Sequence, residues 1–296
     1  MSSARKLSDK AIELLNGSVE NRIEHINKSI FIPYPRAVDI LDEMEDLLDA
    51  PKVNRMPNML VLGRSDNGKT EILREFLRRH PAEDRVELDR AYAPVIYVQS
   101  PPGPTEHIFL DKVLMMLGVS VNQNEASDKK LMRVMDLLQG VQTKVLMIDE
   151  LNALLAGSVT KQRFFLNMIK YISNELRISI VAAGTVEAEI AVGSEKQIQS
   201  RFPSRKLPVW KEDKLFKQML YSFEYVLPLK EGSDIYRGEI ASKIYGLSDG
   251  TIGGAAKVIR SAAIEAIESG TEKITMDVIR SCKYVTRKEA SDDEVI

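Results

Sequence analysis

Apolar residues recur along the chain in two rhythms, and the order in which these alternate predicts the architecture. "IFIPYPRAVDILDEMEDLL" places Ala37, Ile40, Leu41, Met44, Leu47 and Leu48 at three- and four-residue spacing, after a bend marked by Pro33 and Pro35. That is the period of a helix with one buried face. "MLVLG", from Met59, is a short unbroken apolar run, the pattern of a strand buried on both faces. "KTEILREFLRRH" then returns to helical spacing. The exchange continues. "APVIYVQS" is a second strand, followed by the loop "PPGPTEH" and helices near 105–118 and 127–139. "KVLMIDE" is a third strand, and 161–176 a helix with Phe165, Met168, Ile169, Ile172 and Leu176 on one face. "ISIVAAGT" is a fourth strand and "RKLPVW" a fifth. Strands alternating with helices predict an α/β fold with a parallel sheet covered on both faces.

After Trp210 the spacing is helical throughout, in "DKLFKQMLYSFEYVL", "GEIASKIYG", "TIGGAAKVIRSAAIEAIESG" and "TMDVIRSCKYVTR", with Asp213 and Thr275 as N-caps. Residues 1–30 are polar, with a weak helical pattern at Ile12, Leu15, Ile23 and Ile26. They read as an arm that orders against a partner. "EASDDEVI" is an acidic tail. The organisation expected is an arm over 1–30, an α/β domain over 31–211, a helical domain over 212–286 and a tail over 287–296.

Composition narrows the function classes. Of 296 residues, 44% are hydrophobic and 28% charged, ordinary for a chain that buries a core. The 41 basic and 43 acidic residues leave a net charge of −2, so nucleic acid, if bound, is bound by a local basic surface. Cys282 is the single cysteine, which rules out an internal disulfide and a cysteine metal cluster. No apolar run approaches the about 20 residues that span a bilayer, and a cytoplasmic protein is expected.

The chemistry is concentrated at strand ends. Gly63, Arg64, Ser65, Asp66, Asn67, Gly68, Lys69 and Thr70 fit the Walker A pattern G-x-x-x-x-G-K-[ST] completely. The glycines let backbone N–H groups curl around phosphate oxygens, and the following helix adds its positive end. Lys69 reaches the β- and γ-phosphates of ATP, and Thr70 holds Mg²⁺. "KVLMIDE" is the Walker B half: four apolar residues end in Asp149, a Mg²⁺ carboxylate, and Glu150, which polarises the attacking water. Thr185 closes another strand, within reach of the γ-phosphate or the water. Arg201 and Arg205 in "QIQSRFPSRK" are candidates for a positive charge delivered across a subunit boundary, with Arg201 preferred.

This ordered set resembles the AAA+ ATPases over about residues 30–286: "GRSDNGKT", "LMIDE", a strand ending in "AGT", then "SRF" and a helical lid. Within them "IPYPRAVDILDEMEDLL", "RMPNMLVLGRSDNGKT", "IDELNALLAGS" and "GTIGGAAKVIRSAAIEAI" look like the TniB family of transposition ATPases, relatives of TnsC. The resemblance implies a five-stranded sheet of order 5-1-4-3-2 with flanking helices and a C-terminal all-helical lid. It also implies ATP-driven homo-oligomers, rings or helical filaments, on duplex DNA. These choose or mark a target site and recruit a transposase, with a target-selector adaptor as a further partner. By position, Tyr34, Pro35 and Arg36 hold the adenine, Thr185 is sensor 1 and Arg201 is the arginine finger. One departure stands out. Related lids carry a sensor-2 arginine where this chain has Gly253, so loose coupling of the lid to hydrolysis, and slow hydrolysis, are expected.

Lys112 follows the loop after the second strand, Lys129, Lys130 and Arg133 begin the next helix, and Lys161 and Arg163 begin the helix after the Asp149–Glu150 strand, elements that the resemblance implies face a pore. They are the candidates for contacts to DNA phosphates, which hold the duplex without reading its sequence. Two other functions compete. A helicase loader of the DnaC or IstB kind shares the ATPase core and would use residues 1–30 to dock a helicase. A small-molecule P-loop kinase would be a monomer active without DNA, and the helical lid and "SRF" argue against it.

Overall fold

The computed structural model describes residues 6–28, 30–85, 90–193 and 200–285. Helices α1 (Asp9–Leu15) and α2 (Val19–Asn27) come first, then α3 (Pro35–Asp49), β1 (Met59–Leu62) and α4 (Lys69–Arg79). A small antiparallel pair, β2 (Glu83–Arg85) and β3 (Arg90–Tyr92), precedes β4 (Val95–Gln99). Helices α5 (Glu106–Met116) and α6 (Ser127–Gly140) lead to β5 (Val145–Asp149), a 3₁₀ turn (Leu151–Ala156) and α7 (Val159–Leu176). Then come β6 (Ser179–Gly184), α8 (Val186–Gly193) and β7 (Ser204–Lys206). The chain continues as α9 (Lys214–Val226), α10 (Gly238–Leu247), α11 (Ile252–Glu268) and α12 (Met276–Ser281). It divides into two compact units. One is Arg36–Ser65 with Lys69–Pro208; the other is Met1–Pro35, Asp66–Gly68 and Val209–Ile296.

The α/β unit is built on a five-stranded sheet of order β4-β5-β6-β1-β7, with every neighbour parallel. Counted along the chain, these five strands run 5-1-4-3-2, the order the resemblance implies. Strands β1, β5 and β6 are buried along their whole length, as their unbroken apolar sequences require. Register pairs Gln99 with Asp149 and Leu62 with Gly184, which brings the chemistry-bearing strand ends to one edge. Phe109 of α5 meets Phe165 of α7 edge-to-face, 5.1 Å between centroids, in the core on the β4–β5–β6 side. The fifth strand is shorter than "RKLPVW" suggests. It spans Ser204–Lys206, its last backbone bond to β1 runs from the Leu207 N–H to the Leu62 carbonyl (2.7 Å), and Pro208 has no N–H to continue it. The β2–β3 pair leaves no apolar pattern in the sequence because its strands are short and charged; the Arg85 guanidinium covers the Tyr92 ring at 3.7 Å.

In the helical unit Asp213, Thr251 and Thr275 accept backbone N–H bonds from Phe216, Gly254 and Val278, capping α9, α11 and α12. The N-terminal segment, expected as an arm that orders against a partner, is packed within the helical unit of its own chain. Arg22 is buried, 2% exposed, and donates from Nε and Nη2 to the Pro228 carbonyl (2.9 and 2.6 Å) and from Nη1 to Glu272 (2.8 Å). Its second guanidinium nitrogen also meets Glu272, completing a forked pair. Ser8 N–H adds a bond to the Tyr225 carbonyl. A buried guanidinium needs its donors matched, so α2 is held to the C-terminal helices of its own chain. Glu224 organises the loop after α9 by accepting N–H bonds from Ser233, Asp234 and Ile235. The acidic tail over 287–296 lies outside the described residues.

Candidate nucleotide site

The loop from Gly63 to Gly68 joins β1 to α4. Asp66 (φ 58°) and Gly68 (φ 84°) take left-handed backbone there, the curl a phosphate cradle requires. Lys69 opens α4 and is buried; its ammonium donates to the carbonyls of Gly63 (3.0 Å) and Arg64 (2.9 Å). Thr70, the next residue, donates its hydroxyl to Asp149 Oδ2 at 2.7 Å. Asp149 ends the buried β5 strand and is 1% exposed. Its Oδ1 accepts the Glu150 N–H at 2.8 Å. A buried carboxylate beside a hydroxyl, both hard oxygen donors, suits Mg²⁺.

A third partner was not foreseen. Tyr97, on the neighbouring β4 strand, donates its hydroxyl to the same Asp149 Oδ2 at 2.8 Å. Burial, then the Asp149 charge, pushes the Tyr97 phenol well above the ordinary tyrosine range, so it stays protonated and remains a donor. The sequence held a faint signal: one tyrosine within an apolar buried strand, whose hydroxyl must find a partner.

Glu150 takes left-handed backbone (φ 56°), rare for a residue with a side chain and a source of local strain. It turns the chain out of β5 directly into the 3₁₀ segment, where Ala153 N–H bonds its carbonyl. Thr185 follows β6, half-buried, and its hydroxyl bonds Glu187. That bond, with the nearby Lys69 charge, holds the Glu187 carboxyl below the usual range. Gly184 lets α8 pack close on the end of β6: a Cβ there would lie 2.8 Å from that of Ala188.

Arg201 donates to the neutral amide of Asn174 on α7 at 2.8 Å, whereas Arg205 pairs with the Glu43 carboxylate at 2.5 Å. Arg36 Nε donates to the Lys206 carbonyl, 3.1 Å. Pro35 is the first residue of α3, and in the helical unit Tyr34 meets Trp210 edge-to-face at 5.0 Å.

The helical unit, to which Asp66–Gly68 belong, explains the missing arginine at 253. Gly253 N–H donates to the Asp66 carbonyl at 2.8 Å, and a Cβ at 253 would stand 2.6 Å from that oxygen. No side chain fits. One turn further along α11, Lys257 pairs with the Asp66 carboxylate, which raises the Lys257 pKa.

The basic candidates separate. Lys130 is fully buried on Asp111 (2.6 Å), so it is a core ion pair and not a DNA contact. Arg133 is engaged by Glu125 (3.2 Å) and the Ser120 carbonyl, and Lys112 caps the carbonyls of Gln99 and Ser100 at the end of β4. Lys129, Lys161 and Arg163 are exposed.

The family model described as Bacterial TniB protein matches residues 22–212, more than half of the chain. The chain belongs to the TniB family. Among solved structures this TniB chain is similar to the ORC1 protein of Aeropyrum pernix in complex with DNA (17% identity, 92% of this chain and 70% of that chain, TM-score 0.66). It is also similar to the ORC2 protein of the same organism in its ADPNP–ADP complexes (16%, 88% and 70%, TM-score 0.64). The third is CDC6P from Pyrobaculum aerophilum (16%, 87% and 69%, TM-score 0.61). At such identities the likeness shows the fold alone, a parallel five-stranded sheet with flanking helices and a helical C-terminal region. No curated protein matches the TniB chain.

Proposed function

We propose that this chain binds ATP with Mg²⁺, assembles on duplex DNA while ATP is bound, and leaves it on hydrolysis, marking a target and recruiting a transposase. The observation that carries the reading is the pairing of Thr70 with buried Asp149 beside Lys69. Membership of the TniB family supports the transposition role. The ADPNP, ADP and DNA in the names of the similar structures support nucleotide and DNA as ligands.

The residues divide the work. Lys69 exchanges loop carbonyls for phosphate oxygens. Thr70 and Asp149 hold Mg²⁺, which when bound neutralises phosphate charge, and Tyr97 fixes the Asp149 carboxylate in place. Glu150 orients the attacking water and Thr185 holds the γ-phosphate. Arg201, on a neutral partner, is released at lower cost than Arg205, which would abandon a carboxylate. It serves the nucleotide of a neighbouring subunit. With no side chain at 253 to couple the C-terminal helices to the γ-phosphate, hydrolysis is slow and acts as a timer. The helicase-loader reading loses ground, because the segment it would use for docking is tied by Arg22 to its own C-terminal helices.

Lys69→Ala is the test. ATP-dependent binding of a labelled duplex, followed by fluorescence anisotropy, should disappear while the circular dichroism spectrum stays that of the parent. Undiminished ATP-dependent binding would sink the nucleotide-switch reading.

A further inference from the structure

The helical unit contains a cavity of about 280 Å³ that the nucleotide chemistry does not use. Lys257, Arg260, Ser261 and Ile264 line it from α11, and Lys283 and Tyr284 close it just beyond α12. The four α11 residues stand at three- and four-residue intervals, so they share one helix face. Three cationic residues therefore line it, in a chain whose net charge is −2. Two have carboxylate neighbours: Lys257 pairs with Asp66, and Lys283 lies 3.8 Å from Glu268. Arg260 is half-buried and has no ion pair among the described residues. Ser261 Oγ accepts the Tyr284 backbone N–H at 3.1 Å, which leaves its own hydroxyl proton to donate. The guanidinium and this hydroxyl are strong donors with unspent capacity, and the Tyr284 ring and Ile264 supply apolar walls.

The Arg260 guanidinium and the Ser261 hydroxyl, donors with unspent capacity beside two further cationic side chains in a concave site, select an anion with several oxygens. We propose that this cleft grips a backbone phosphate of duplex DNA, so that the helical unit contributes a DNA contact of its own. The inference rests on the DNA-binding reading above and adds to it a site at which Arg260 and Lys283 hold the phosphate. A free phosphate or nucleotide offers the same chemistry, and the test separates the two sources.

The experiment compares the full chain with an Arg260→Ala/Lys283→Ala double variant and with Arg260→Lys. Binding to a labelled random-sequence duplex, with a slowly hydrolysed ATP analogue, is measured from about 50 to 200 mM salt. Removing this one phosphate contact should flatten the log–log salt slope by about 0.9 and weaken binding about tenfold at the low-salt end. Arg260→Lys should keep the wild-type slope, and ATP hydrolysis without DNA should be the same in all three proteins. An unchanged slope in the double variant, with wild-type binding intact, overturns the cleft alone. Wild-type protein that binds no DNA overturns the function proposed above as well. A slope unchanged while inorganic pyrophosphate stabilises wild type and not the double variant would assign the cleft to free phosphate and overturn the DNA contact. Loss of ATP-driven assembly without DNA would likewise overturn it, by placing the cleft in a subunit contact.

Discussion

Three hydrogen bonds fix the Asp149 carboxylate: Thr70 and Tyr97 hydroxyls on Oδ2, and the Glu150 N–H on Oδ1. A metal-holding carboxylate gains affinity from partners that hold it still, and losing such a partner costs about 10–100-fold. Tyr97→Phe should therefore weaken Mg²⁺-dependent nucleotide binding about tenfold, read from the Mg²⁺ concentration at which a fluorescent ATP analogue is captured. An unaltered Mg²⁺ requirement would remove Tyr97 from the site. The grouping of Lys69, Thr70 and Asp149, which the structure joins through the Thr70–Asp149 bond, was legible in the sequence because their residue types and spacing beside two strands form a pattern that can be read without the fold. Tyr97 was not, because its contact depends on the register of two strands far apart in sequence. The burial of Lys130 is hidden in the sequence for a related reason. Near a helix start it looks exposed, and only the packing of α6 on α5 places Asp111 opposite it.

At the scale of elements, the helical spacing of α3 and α7 and the unbroken apolar runs of β1, β5 and β6 show in the sequence because burial sets their composition. The docking of α2 does not, since a polar helix with one arginine gives no sign that the arginine is buried. That docking has a pH signature. Arg22 holds the Glu272 carboxyl down to about 2, from an ordinary 4.5. A depressed carboxylate stabilises the fold fully above the unfolded value and loses this as pH falls through the folded one. The contribution of Glu272 should therefore be intact above about pH 4.5 and fade between there and about pH 2. Glu272→Gln should lower the melting temperature near neutrality and flatten its pH dependence across this window. Parallel melting curves for the two proteins would show that the pair does not set the acid response. Arg22→Ala, which leaves Glu272 without its main partner, should cost about 3–5 kcal/mol in denaturant unfolding. A cost near zero would undo the anchoring role.

At the scale of the whole molecule, a residue that completes a neighbour's site makes a head-to-tail contact, and such contacts build rings or filaments. Arg201 suits that role because its partner is a neutral amide. Arg201→Ala should bind ATP as isolated subunits do and lose most hydrolysis in the DNA-bound assembly, by a factor of about 10³ or more if it acts as a trans arginine. Normal turnover would move the role elsewhere. The central claim is that the nucleotide times a grip on DNA, and Glu150 is where the timer is set. The most direct measurement loads wild type and Glu150→Gln onto a labelled duplex with ATP, removes free ATP, and follows release. Glu150→Gln assemblies should persist far longer than wild type; release at the wild-type rate or faster would contradict the account.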